Sequence, residues 1–405
     1  MFPGGPSTCS LAAGPIIVVP VPTDPEVRAE LIAAVRRFVE REVLPVASDL
    51  EHADEFPTEI VAGMRDMGLF GVTIAEKYGG LGLDLPTYCG VIEELAAGWM
   101  SLSGVLNTHV MVANLLKANG TEAQRRRWLP VLASGETRGC LSLSEADAGS
   151  DTSALACRAT RDGDEYVITG TKDWVTNDER AGLVALAART DEGITCFMVD
   201  KEPGPVYGGI TVSRNIPKLG YKGIETVEMS YDGHRVPADA VLGGPDGLGR
   251  GQHFILSALE VGRINIAARS VGVARAAFEA AITYAQQRET FGKPIAQHQS
   301  VQNRLADMGT QLQAARLLTE HAAALKESGA RCDVEAGMAK LFASEAAFAI
   351  ATDSMRVHGG VGYTTELPIE RYYRDAPLML IGEGTNEIQR LVIARGLLSR
   401  YSQDG

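Results

Sequence analysis

Residues 153–176 read Ser-Ala-Leu-Ala-Cys-Arg-Ala-Thr-Arg-Asp-Gly-Asp-Glu-Tyr-Val-Ile-Thr-Gly-Thr-Lys-Asp-Trp-Val-Thr. Extended runs over 153–161 and 165–176 flank Asp162-Gly163, a dipeptide that favours tight turns, so the stretch reads as a β-hairpin. Short β-branched or apolar runs follow at 183–187, 194–199, 210–212 and 226–230, punctuated by Gly and Pro. A β domain over residues 138–246 is the expectation.

On both sides the period is helical. Upstream, Thr23-Asp24-Pro25-Glu26 supplies a capping residue, a Pro for the first helical position and an acid for the first turn. Val27, Leu31, Val35 and Phe38 then form an apolar stripe. Pro57 restarts a helix carrying Ile60 and Met64, Gly79-Gly80-Leu81-Gly82 breaks the chain, and a further helix covers 85–97. Downstream, Val301, Leu305, Met308, Leu312 and Ala315 share one helix face, as do Val334, Met338, Leu341 and Phe348. With the stretches 253–286 and 385–399 they predict four long amphipathic helices, enough for a bundle. The expected fold is therefore α+β and multidomain. A tail (1–24) precedes an α-helical domain (25–137), a central β domain of barrel or sandwich type (138–246) and a C-terminal four-helix bundle (247–405).

Composition and missing motifs exclude much. The chain has 405 residues, and 38 Lys+Arg against 51 Asp+Glu leave a net charge of −13, which opposes nucleic acid or anionic membrane as a partner. No apolar run approaches the ~18 residues of a membrane span. Residues 1–24 contain no Lys or Arg, so no secretory leader is expected. Six scattered cysteines (9, 89, 140, 157, 196, 332) without a CxxC pair read as reduced thiols in a cytoplasmic protein. GxGxxG, Walker A, GxSxG and HExxH sequences are absent, and no ligand spacing points to a metal.

Four segments taken together resemble the acyl-CoA dehydrogenase family of flavoproteins. They are Leu141-Ser-Leu-Ser-Glu-Ala-Asp-Ala-Gly-Ser-Asp151, Gly170-Thr-Lys-Asp-Trp-Val-Thr-Asn177, Arg288-Glu-Thr-Phe-Gly-Lys-Pro294, and Arg356-Val-His-Gly-Gly360 running on to Glu383-Gly-Thr-Asn-Glu-Ile-Gln-Arg390. The resemblance spans residues 25–400 and implies FAD as cofactor and an acyl-CoA thioester as substrate. It also implies electron-transfer flavoprotein as acceptor and a homotetramer built as a dimer of dimers.

By the same resemblance Glu383 is the base that removes the α-proton, and the product is a trans-2-enoyl thioester. A helix N-terminus would stabilise the Glu383 carboxylate, whereas burial against an acyl chain and a flavin raises its basicity; catalysis requires burial to win. Leu141, Leu143, Ser144, Gly149, Ser150, Trp174 and Thr176 match positions on one side of FAD. Arg288, Phe291, Gln299, Arg356, Gly359 and Gly360 match positions that reach the FAD of a neighbouring subunit, and Thr385 and Glu387 complete the set. Ser150, Glu260, Gly262, Arg263 and Gly384 match acyl-CoA contacts.

The chain departs from the family pattern at several positions. Arg356 replaces a common Gln, and Ala146 replaces the usual Pro. Gly382 replaces a bulky Tyr of straight-chain enzymes, which widens the pocket for branched or cyclic acyl groups. Some relatives carry the base just before the Arg matched by Arg263; Gly262 there leaves Glu383 as sole candidate. A flavin oxidase or monooxygenase, a carrier-protein dehydrogenase and a cofactor-free helical scaffold remain open alternatives.

Overall fold

The computed structural model describes residues 22–402, so nearly all of the expected tail, with Cys9, lies outside the described residues. Six helices come first: α1 (Pro25–Phe38), α2 (Ala47–His52), α3 (Thr58–Asp66), α4 (Leu85–Gly98), α5 (Met100–Asn119) and α6 (Glu122–Ala133). Asp24 caps α1 by accepting the Glu26 N–H, and Asp84 caps α4 by accepting that of Thr87. Asp84 also accepts the Thr23 N–H at 2.8 Å, tying the two helix starts together. As an outer helix covering α4, α1 buries Val35, half-buries Leu31 and Phe38, and leaves Val27 exposed, contrary to the expected stripe. Buried along most of its length, α5 carries Asn107 and His109 into the interior among Val105, Leu106, Val110 and Met111.

Eight strands form one curled sheet: β1 (Arg138–Ser142), β2 (Arg158–Asp162), β3 (Glu165–Thr176), β4 (Ala181–Thr190), β5 (Gly193–Asp200), β6 (Val206–Tyr207), β7 (Ile210–Val212) and β8 (Thr226–Pro237). The order is β1-β4-β2-β3-β8-β7-β6, with β5 antiparallel to β4. Strand β4 runs parallel to β1 and meets β2 at Arg158–Arg189, which bends the sheet around its own core.

The hairpin is present but shifted. Asp162 pairs with Glu165, so the tight turn is Gly163-Asp164, one residue later than the sequence predicts. The positive φ of 64° falls on Gly163, where no Cβ opposes it. Nor do residues 153–157 belong to a strand. Asp151 accepts the Ser153 N–H, a short 3-10 turn covers Thr152–Ala154, and β2 begins only at Arg158.

The C-terminal unit is α7 (Gly251–Gln287), a small hairpin of β9 (Glu289–Thr290) and β10 (Lys293–Pro294), then α8 (Gln299–Glu327), α9 (Asp333–His358), α10 (Ile369–Ile381) and α11 (Asn386–Arg400). The first turns of α7 pack Phe254, Ile255 and Ala258 against the sheet, so this helix joins both cores. Farther along, Ala267, Ala274, Ala277 and Ala281 of α7 share a core with Ala336, Ala339, Ala343 and Ala347 of α9. Small residues let the two helices approach closely. The buried face of α9 is thus mainly alanine, and Met338, Leu341 and Phe348 are only half-buried.

The fourth expected helix, over 385–399, is present as α11 (Asn386–Arg400), and α10 is a further helix before it. Pro368 and Pro377 hide α10 from a reading by period, although Ile369, Tyr372, Ala376 and Met379 make it a core element. On α11 the expected apolar stripe is not core either, with Leu391 and Leu398 exposed and Ile388 and Val392 half-buried.

Asp375 of α10 is fully enclosed and accepts the Tyr221 N–H at 2.7 Å, which docks the 219–224 loop of the β domain. Burial pushes its carboxyl up to about 6. A carboxyl raised on folding loses stability as pH climbs from its unfolded value through its folded one. Asp375→Asn keeps the acceptor and removes the charge. It is expected to raise stability at pH 8 by on the order of 2 kcal/mol, with no gain at pH 4, as read by urea denaturation at the two pH values.

Candidate active site

Glu383 lies in the link between α10 and α11 with φ 57°, a left-handed conformation that non-glycine residues rarely adopt. Buried side chains hold it there. Gln389 Nε2 donates to the carbonyls of Glu383 (3.3 Å) and Gly384 (2.9 Å). Lys340 Nζ, reaching from α9, donates to the Leu380 carbonyl (3.1 Å) and to Asn386 Oδ1 (2.7 Å). Thr385 Oγ1 caps α11 by accepting the Ile388 N–H, and Glu387 is exposed in the first turn.

The residue is half-buried, but its carboxyl group is enclosed. Asn107 Nδ2 on α5 donates to Oε1 at 2.9 Å. Gly262 on α7 faces Oε2 so closely that a Cβ there would lie 2.5 Å away. Desolvation raises the pKa of the carboxyl; the Asn107 bond and the nearby cations Arg269, Arg263 and Lys340 pull it down without prevailing. Burial thus outweighs every opposing influence, giving a carboxylate more basic than an exposed one.

A second group borders the sheet. A bulge in β3 between Lys172 and Val175 turns Trp174 outward with φ 61°, leaving the residue 63% exposed. Thr176, Leu141, Leu143 and Ser144 are half-buried nearby, while Gly149 and Ser150 are exposed. Buried Lys172 donates to the Leu143 carbonyl (2.9 Å) and pairs with Glu145 (2.7 Å), which fastens the 143–145 segment to β3. The Asp173 N–H donates to the Ser144 carbonyl at 2.8 Å. An outward aromatic face beside hydroxyls and an open glycine suits a flat, polar-edged ring system such as a flavin.

A third group sits at the far end of the bundle. Tyr284 and His358 stack with ring centroids 4.4 Å apart, which brings the ends of α7 and α9 together. Arg288, Phe291, Gln299, Arg356, Gly359 and Gly360 are all exposed there, Phe291 at 97%. Asp353 holds Arg356 at 3.2 Å and also pairs with Arg304. From Gly262 to Arg288 is 26 residues of α7 and its cap, roughly 39 Å at ~1.5 Å per residue. One chain therefore does not bring this group to Glu383.

Of the remaining expected residues, Arg263 is buried beside Glu383 with Nε unpartnered. Glu260 pairs with Lys326 at 2.6 Å. Gly384 shares the strained link, with φ 86°. Sequence reasoning missed Asn107, Lys340, Gln389, Arg269 and Lys172. Each is a buried polar residue, and a polar side chain in a helix or strand does not by itself announce a role.

Three family models cover most of the chain: the acyl-CoA dehydrogenase N-terminal domain over residues 25–136, middle domain over 140–234 and C-terminal domain over 249–398. The chain belongs to the acyl-CoA dehydrogenase family. It is 40% identical over 384 residues to the mitochondrial short-chain specific acyl-CoA dehydrogenase of Bos taurus, covering 93% of this chain and 91% of that one. Among solved structures, butyryl-CoA dehydrogenase from Megasphaera elsdenii superposes with a TM-score of 0.88 at 34% identity, covering 92% and 98% of the two chains. A glutaryl-CoA dehydrogenase from Mycobacterium smegmatis in complex with FADH2 gives 0.86 at 30%, covering 94% and 96%. The protein is thus an FAD-dependent acyl-CoA dehydrogenase, an oxidoreductase. No helix among the described residues is long and apolar enough to cross a membrane.

Proposed function

We propose that the protein removes hydrogen from the α and β carbons of an acyl-CoA thioester to give a trans-2-enoyl-CoA, with Glu383 as the base. The observation that carries this reading is the enclosed Glu383 carboxyl, made basic by burial and aimed by Asn107. Its ionised form takes the α-proton at a carboxylate oxygen, and its backbone N–H is available to polarise the thioester carbonyl. FAD, when bound, supplies the acceptor for the β-hydride. On this chain Leu141, Leu143, Ser144, Gly149, Ser150, Trp174 and Thr176 would hold it.

The group at the far end of α7 then serves the FAD of a neighbouring subunit, which makes a homo-oligomer, a dimer of dimers, part of the proposal. The half-buried and exposed apolar side chains of α9 and α11 are free to be covered in it. Electron-transfer flavoprotein as acceptor and a cytoplasmic setting complete the reading.

A Cβ on Gly382 would meet only the Leu378 carbonyl at 3.4 Å and Ile266 Cδ1 at 3.9 Å. The space beside the base is therefore open, in keeping with a short branched or otherwise bulky acyl group. The test is anaerobic titration of the purified yellow protein with a panel of acyl-CoAs. Bleaching of the flavin band, strongest with a branched thioester, is expected; preference for butyryl- or octanoyl-CoA over every branched one would refute the Gly382 reading.

A further inference from the structure

We propose that Asn177 is a positioning residue that sets the flavin-binding end of β3 against the turn of α5 that aims the base. It follows Thr176, the last residue of β3, and is fully buried. Its φ of 68° is left-handed, a conformation that Asn tolerates better than most side chains. From there the amide crosses to α5. Nδ2 donates to the Val105 carbonyl at 3.0 Å and to Thr108 Oγ1 at 2.8 Å. Those two acceptors lie on either side of Asn107 in the chain, and Asn107 Nδ2 donates in turn to the Glu383 carboxyl at 2.9 Å.

Among the described residues, no other hydrogen bond joins the 172–177 stretch to α5. Each wall of the site is otherwise braced within itself. The Lys172–Glu145 pair and the Asp173 N–H hold β3 to the 143–145 segment, while Lys340 and Gln389 hold the Glu383 link from α9 and α11. Asn177 is the brace between the two walls. Its Oδ1 is buried without a partner, a cost that the two donated bonds must offset. The docking of α5 on the sheet has a separate support, since the Gly139 N–H donates to His109 Nδ1 at 3.2 Å and Val112 packs on Gly139. Loss of the amide therefore loosens one turn of α5 and leaves the helix docked.

Removal of hydrogen from adjacent carbons needs the base at one carbon and the hydride acceptor at the next, with both distances right at once. A relative drift of about 1 Å can slow such a step by ~10²-fold even when each wall is intact. This inference rests on Glu383 as the base with Trp174 and Thr176 beside the flavin, and the experiment separates failure of that reading from failure of this one.

Asn177→Gly suits the test, because glycine keeps the left-handed backbone while the amide is removed. Apoenzyme of the variant should bind FAD, read by flavin fluorescence, within a few-fold of the parent. With whichever of butyryl-, isobutyryl- and 2-methylbutyryl-CoA bleaches the parent fastest, anaerobic flavin reduction should be slower by about 30- to 100-fold. The pH at which that rate is half-maximal should not move, because Asn107 and the cations around Glu383 are unchanged. In D2O, thioester recovered before bleaching should carry deuterium at the α-carbon, read by NMR, since proton removal no longer keeps step with hydride loss. Thr108→Val removes one acceptor and should show the same pattern more weakly. Added to Asn177→Gly, it should lower the melting temperature little further. Flavin reduction within a few-fold of the parent would overturn the proposal. So would a slow variant that shows no exchange, loses FAD or shifts its pH dependence, for the residue is then only a structural support. Exchange that persists undiminished once Glu383→Gln is added would instead overturn the reading of Glu383 and leave that of Asn177 standing.

Discussion

Glu383→Gln is expected to lower the rate of flavin reduction by roughly 10²- to 10⁴-fold while the purified protein stays yellow. The side chain keeps its shape and can still accept from Asn107 Nδ2, as Oε1 does now at 2.9 Å. Gln389 and Lys340 continue to hold the link, because they bond to its backbone and to Asn386 rather than to the carboxyl. Only the capacity to take a proton is removed. Most residues assigned to FAD lie on other elements, and Thr385 and Glu387 beside the link are unchanged, so cofactor content read from the visible spectrum should match the parent. Rapid anaerobic mixing with a bleaching thioester measures the rate, and a variant within a few-fold of the parent would move the base elsewhere.

With Glu383 as the proposed base, the same carboxyl should set the pH profile. Its pKa is raised by burial, and the proposed step needs the ionised form. The rate should therefore rise with pH along an acid limb centred above the usual range of an exposed glutamate, and flatten once Glu383 is fully charged. The opposing pull of Asn107 gives a companion result. Asn107→Leu removes a donor to the ionised form, so the limb should move to higher pH. A limb that does not move would show that Asn107 has no influence on the charge.

Local chemistry explains what the sequence reveals and what it hides. Strands β4, β5, β7 and β8 are legible because β-branched and apolar runs are bounded by Gly and Pro, and the β2–β3 turn is misplaced only by one residue. Helix α10 is hidden because Pro377 stands inside it, tolerated beside a core that Tyr372 and Met379 fill. The α9 face is misread since close helix packing selects alanine, and a search for large apolar residues passes over the buried side. Glu383 is legible through its motif, as are the glycines and arginine at the far end of the bundle. Asn107, Lys340 and Gln389 are not, because nothing in a helix's own sequence states which distant loop its polar side chain meets. That these last groups hold the Glu383 carboxyl and its link makes their invisibility a matter of tertiary structure, not of weak signal.

Gly262→Ala tests the placement itself, and its expected outcome separates stability from activity. A helical Gly→Ala change ordinarily stabilises by about 0.5–1 kcal/mol, and Gly262 lies well inside α7. The added Cβ would nevertheless fall 2.5 Å from Glu383 Oε2 and 2.8 Å from its Cδ, with Met111 Sδ at 3.3 Å. The first two atoms are the free end of a flexible side chain, so the fold yields easily and the carboxyl swings away. Displacement of a reacting group by about 1 Å can lower a rate by ~10²-fold. The variant should accordingly unfold at an equal or higher temperature, retain its FAD, and reduce that FAD about 100-fold more slowly. Since the chemical step depends on where the carboxylate rests, the loss should appear chiefly in kcat. An alanine variant as fast as the parent would mean that the carboxyl leaves Gly262 once substrate enters, and that the contact belongs to the resting enzyme alone.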